Sequence, residues 1–182
     1  MQLSEQEMMR LWLLRKGYEP LRSDCQIERS DGADLQAIAR GECRLWYEQL
    51  LAEAPAEMLV LHDLSQSSDI KISITNRQAI QVTLPKNCIR PIAVKLVSWY
   101  APAKIVKADS PLAARQYADY GCGGIVHPVA IWHPDNRLEL FSPSYEDADS
   151  DILQYLRCIV RTFEDDNETP IYEFQPLALS SL

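Results

Sequence analysis

A chain of 182 residues, 47% hydrophobic and 24% charged, has the balance of an ordinary folded protein and is too apolar for a disordered one. It is long enough to bury a core without help from disulfides or metal. A net charge of −8 excludes a surface built to hold nucleic-acid phosphates, and no apolar run reaches the roughly 18 residues of a membrane span.

The first predicted element is a helix over 4–16. Ser4 stands at its N-cap, Glu7 at the capping-box position, and Leu3, Met8, Leu11 and Trp12 near helical spacing. Gly17 and Pro20 end it. A polar stretch over 21–32 reads as a loop. A second helix is expected over about 34–53, capped by Asp34, with Leu35, Ile38, Ala39, Leu45, Trp46, Gln49 and Leu50 as its apolar stripe. Pro55 interrupts it, and 56–61 reads as a short further turn or a strand.

From Asp69 the period becomes two. Ile70, Ile72 and Ile74 alternate with Lys71 and Ser73 as in a half-buried strand, and Asn76-Arg77-Gln78 suits a hairpin turn into a strand over 79–84. A β-branched run thus meets Leu84-Pro85, and beyond the Pro-Lys-Asn turn a long alternating strand is predicted over 89–99. A short strand over 104–106 follows. Asp109-Ser110-Pro111 then signals a helix over 112–117, and Gly121-Cys122-Gly123-Gly124 reads as a loop. Strands over 125–132 and 137–141 form the clearest hairpin, with His133-Pro134-Asp135-Asn136 supplying the turn. Residues 152–163 are rich in Tyr, Cys, Ile, Val, Thr and Phe and read as a strand. The tail, 171–182, ends on an apolar segment suited to docking.

The expected fold class is α+β, with N-terminal helices packed on a mostly antiparallel sheet or sandwich over 70–163. The expected division is a helical region, 1–66, and a β-rich region, 67–182, forming one compact unit.

Candidate chemistry is sparse. Cys122 has the only context resembling a nucleophile's, since its glycine neighbours would expose the sulfur and free backbone N–H groups, with His127 five residues on as a base. Against it stands a plain loop thiol, the favoured reading, so no catalytic residue is expected. The acids Glu146, Asp147, Asp149 and Asp151 could group around calcium, but they lack the turn glycine and distal glutamate of an EF-hand loop. The five cysteines are at least 18 residues apart and form no Cys-x-x-Cys pair, and His62, His127 and His133 do not cluster with them. Reduced thiols, a cytoplasmic location, and no cofactor or metal are therefore expected; the N-terminus also lacks a signal peptide's basic start and apolar core. Residues 1–134 hold 15 acidic and 15 basic side chains, whereas 135–182 hold 11 and 3. That acidic excess reads as a solvated face, or as a surface to meet a basic partner.

The stretch Thr83-Leu84-Pro85-Lys86-Asn87-Cys88-Ile89-Arg90 resembles the turn of phage head-to-tail adaptor proteins of the tail tubular protein A kind, in which leucine-proline is followed by an acidic or amide residue, an apolar residue and arginine. In such proteins two helices precede the turn and a long strand ending near a tryptophan follows it, as Trp99 does here. Pro128-Val129-Ala130 and Leu138-Glu139-Leu140-Phe141-Ser142 match the later strands. Asn87 and Cys88 depart from the usual aspartate and aromatic residue. The resemblance implies a non-enzymatic virion structural protein of prophage type, cytoplasmic until it joins the particle. Its partners would be portal or tail components, or itself in a ring, with no membrane and no sequence-specific nucleic acid. Pro85, Asn87, Arg90 and Trp99 would be the structural or interface residues. The alternative is a small acidic binding or immunity-type protein that neutralises a basic partner.

Overall fold

Ser4 opens the first helix as its sequence context dictates. The Ser4 Oγ accepts the Glu7 N–H at 3.4 Å, and Glu7 Oε2 accepts the Ser4 N–H at 2.9 Å, closing a capping box in front of α1 (Glu5–Arg15). Those Ser4 donors, the backbone N–H above all, hold the Glu7 carboxyl below its ordinary pKa. The structure, a computed structural model, describes residues 1–16, 35–75, 79–118, 123–141, 152–162 and 171–175. Its contacts divide the chain into two units, Met1–Val60 with Arg161–Leu182, and Leu61–Val160.

In the first unit, Met8 and Trp12 of α1 are buried, while Leu11 is exposed. The buried stripe of α2 (Leu35–Glu53) is Cys43, Tyr47 and Leu51, one turn apart. This corrects the stripe expected from sequence, because Ile38 and Leu45 face solvent. The expected Asp34 cap lies outside the described residues. The stripe is chosen by a strand from the other end of the chain. β10 (Ile171–Glu173) pairs antiparallel with β1 (Gln2–Ser4), Leu3 opposite Tyr172. The rings of Tyr172 and Phe174 meet that of Tyr47 edge-on at centroid distances of 4.8 and 5.5 Å. The Tyr47 hydroxyl donates to the Glu173 carbonyl at 3.3 Å and accepts the Glu173 N–H at 3.0 Å. Burial pushes the Tyr47 phenol up to about 12. Arg44 joins α2 to α1, with Nε and Nη2 on Glu5 Oε1 at 3.0 and 2.8 Å. After Pro55 the chain makes one 3-10 turn, Ala56–Met58.

The second unit is the β-rich part, with two facing sheets. One has the order β2 (His62–Asp63), β9 (Leu153–Val160), β5 (Cys88–Leu96), all antiparallel. The other has the order β3 (Lys71–Thr75), β4 (Ala79–Thr83), β8 (Arg137–Phe141), β7 (Val129–His133), β6 (Lys104–Lys107). Their inner faces share one core. Ile80, Val82, Ala130, Leu138 and Leu140 come from the five-stranded sheet, and Cys88, Val94, Leu96, Leu156 and Cys158 from the three-stranded one. The outer face of the five-stranded sheet carries a smaller cluster, Ala79, Ile131 and Phe141, covered by Ala113 of α3 (Pro111–Gln116). Ser110 caps α3 through its Oγ, as the Asp-Ser-Pro signal predicts.

The α+β fold with antiparallel sheets agrees with the sequence reading, with one refinement. β6 and β7 run parallel, because residues 108–128, including α3, are long enough to carry the chain back across the sheet. β4 and β5, the strands on either side of the Pro-Lys-Asn turn, belong to different sheets, so Leu84-Pro85 is a corner between sheets. The strand predicted over 125–132 begins only at Val129, since 125–127 lie in a turn closed by His127 N–H on the Gly124 carbonyl at 3.1 Å.

Candidate functional site

The organising corner runs from Leu84 to Arg90. Leu84 N–H donates to the Asn136 carbonyl at 2.8 Å and Cys88 N–H to the Pro85 carbonyl at 3.0 Å. The first bond ties the corner to the β7–β8 turn, and the second closes the turn that redirects the chain into the other sheet. A backbone bond thus fastens the corner to the neighbouring turn. Arg90 lies on β5 opposite Ile159, half-buried, and its burial lowers its pKa from the usual arginine value. Asn87 is half-buried, and its Oδ1, itself out of contact with solvent, accepts no hydrogen bond among the described residues.

Trp99 is not part of this corner. It follows the far end of β5, about 26 Å along the strand from Cys88 at 3.3 Å per residue. There it is 2% exposed in the main core, its N–H on the Leu96 carbonyl at 3.2 Å. The structure therefore brings Pro85, Asn87 and Arg90 together and sets Trp99 apart as a packing residue.

Cys122 lies outside the described residues, as do Glu146, Asp147, Asp149 and Asp151. Its neighbour Gly123 is described, and its N–H donates to Gln116 Oε1 at 2.7 Å, so that group is already engaged. A Cβ at position 123 would sit 2.7 Å from the His127 carbonyl oxygen, which explains why glycine is needed there. Among the described residues no three His, Cys, Asp or Glu side chains group to hold a metal ion. Cys88 and Cys158, both reduced, lie buried in the main core. The hydrogen bond between them and burial push the Cys158 thiol well above its ordinary pKa.

A polar group that sequence reading missed sits on the outer face of the five-stranded sheet, beside α3. His133 Nε2 lies 3.3 Å from Glu139 Oε2, and the Tyr117 hydroxyl donates to the same oxygen. The Tyr117 ring meets that of Phe141 edge-on at 5.5 Å. Hairpin register creates the His–Glu pair. His133 stands opposite Arg137, so Glu139, two residues on, is its diagonal neighbour on the same face. That much was derivable from the predicted hairpin; the approach of Tyr117 at the end of α3 was not. The carboxylate accepts the Tyr117 hydroxyl and lies against His133 Nε2, which forms no hydrogen bond among the described residues, and the group ties α3 to the sheet. Asp135 and Glu173, also from the acidic C-terminal quarter, are likewise engaged within the chain, with Arg137 at 2.6 Å and Gln2 at 2.8 Å.

Besides Tyr117 after α3, the large exposed apolar side chains described in the β-rich unit lie in two places. Val97 and Tyr100 in the turn after β5, and Ile125 and Val126 before β7, are exposed on two loops joined by the Tyr100 N–H to Ile125 carbonyl bond of 3.0 Å. Ile72 and Ile74 are exposed on β3. No helix among the described residues is long and apolar enough to cross a membrane. The chain matches no protein-family model and no curated protein.

Proposed function

We propose that this protein is a non-enzymatic structural subunit of a prophage-type particle, an adaptor of the head-to-tail neck that works through contacts with portal or tail proteins. The observation that carries the reading is the pair of joined loops bearing Val97, Tyr100, Ile125 and Val126, with Tyr100 76% exposed. Apolar groups gathered on hydrogen-bonded loops suit burial against another protein. The resemblance of 83–90 to the adaptor turn supports the same role, as the Leu84–Arg90 corner braces the two sheets of this unit.

The test is genetic and then structural. Deleting the gene from its prophage should leave filled heads without tails in electron micrographs of induced lysates. Tailed, infectious particles at the normal yield would overturn the role. In the complemented strain, Tyr100→Glu should leave the purified protein's melting temperature unchanged and reproduce the tailless particles, because an exposed ring contributes to binding and not to the core.

A further inference from the structure

Among the described residues, the four sheet edges of the β-rich unit are not equally protected. β2 is two residues long. β5 carries Pro91 and Lys95 and three register shifts against β9. β6 is four residues long with a lysine at each end. These are the devices by which natural sheets prevent strand addition: short edges, proline, charge and bulges. β3, Lys71-Ile72-Ser73-Ile74-Thr75, has none of them in its interior, and its register against β4 is unbroken over all five residues.

Its exposed side chains are also unusual. Ile72 and Ile74 stand opposite Val82 and Ile80, whose side chains belong to the main core, so the two isoleucines lie on the inner face of the sandwich. Yet Ile74 is 61% exposed, because the facing sheet has three strands against five and leaves β3 overhanging. The sequence expectation of a half-buried strand is corrected accordingly.

We infer that β3 pairs antiparallel with β3 of a second copy of this chain, about a two-fold axis at Ser73. In that register Ile72 of each copy packs on Ile74 of the other, and Ser73 meets Ser73. Lys71, the one charge in the strand, faces Thr75 and stands about 14 Å along the strand from the other Lys71. The register thus sets apolar side chains against apolar ones and keeps the two lysines apart, as an isologous contact allows. The two five-stranded sheets become one continuous sheet, and the overhanging isoleucines gain a cover. This pairing goes beyond the particle role and holds or fails independently of it.

Sedimentation velocity on the full chain at up to about 100 μM should show a concentration-dependent dimer. Ile74→Lys, which places a charge on the inner face of the edge, should weaken that dimer by about tenfold or more with an unchanged circular dichroism spectrum. Ser73→Cys should form a disulfide-linked dimer under mild oxidation with oxidised glutathione, since opposed residues across a two-fold strand pair fall within disulfide reach. Thr75→Cys and the unmutated chain should not. A monomer throughout the concentration range overturns the inference. So does a dimer indifferent to Ile74→Lys, or one cross-linked no better through position 73 than through position 75, because the copies would then meet elsewhere.

Discussion

Asp63 shows how a single exposed carboxylate can stitch a sheet. Its Oδ1 accepts the Ser65 N–H at 3.0 Å and the Leu156 N–H at 3.1 Å, and β2, on which it sits, is only two residues long. Burial raises the Asp63 pKa, but the backbone donors outweigh it and the carboxyl titrates below the ordinary aspartate value. A depressed folded pKa means the stabilisation is complete above the unfolded value, near 4, and is lost as pH falls through the folded one. Urea melts of Asp63→Asn should therefore lose part of the acid sensitivity that the native chain shows below about pH 4. Asp63→Ala, which strands the Leu156 N–H, should cost about 1–3 kcal/mol at neutral pH. Equal acid sensitivity in the native chain and in Asp63→Asn would show that other carboxylates dominate the low-pH transition.

Among the elements, the β7–β8 hairpin carries the sharpest local demand. Its three-residue loop, Pro134-Asp135-Asn136, ends with Asn136 at φ 57°, a left-handed conformation that asparagine tolerates and branched residues do not. Asn136→Gly should hold or slightly raise the melting temperature, whereas Asn136→Val should cost about 1–2 kcal/mol. A valine variant as stable as the native chain would mean the loop has another conformation available. This hairpin, the Ser4 capping box and the Ser110 cap were legible in the sequence because each rests on residues close along the chain. What failed were judgements that depend on distant partners. The α2 stripe was misplaced because Tyr172 and Phe174, which select Cys43, Tyr47 and Leu51, arrive from the opposite end of the chain. Ile72 and Ile74 alternate as a buried strand should, and only the width of the facing sheet leaves them in solvent. Of the adaptor-like residues, Pro85, Asn87 and Arg90 cluster because they share one turn, and Trp99 departs because a nine-residue strand intervenes.

At the scale of the molecule, the two units differ in how the chain supplies them. The β-rich unit is continuous, Leu61–Val160, and its first and last strands, β2 and β9, are hydrogen-bonded neighbours. Among the described residues, the cluster around Leu140 and the one around Ile131 are each built from its own residues. A fragment of residues 61–160 should therefore fold alone and give a cooperative melt; a broad, non-cooperative transition with strong dye binding would show that it needs the rest of the chain. The helical unit is discontinuous, Met1–Val60 with Arg161–Leu182, and residues 1–60 lack Tyr172 and Phe174. The pairing of β1 with β10 sets a timetable. On the ribosome the first strand and both helices emerge early, but the pieces that seal them are made some 170 positions after Gln2. At about 5–20 residues per second the opening segment waits on the order of ten seconds or more with Leu3 and Tyr47 uncovered. During that wait the β-rich segment is made and can fold first. The helical unit is thus the last of the two to become native, and it is the stretch where a nascent-chain chaperone has most to hold.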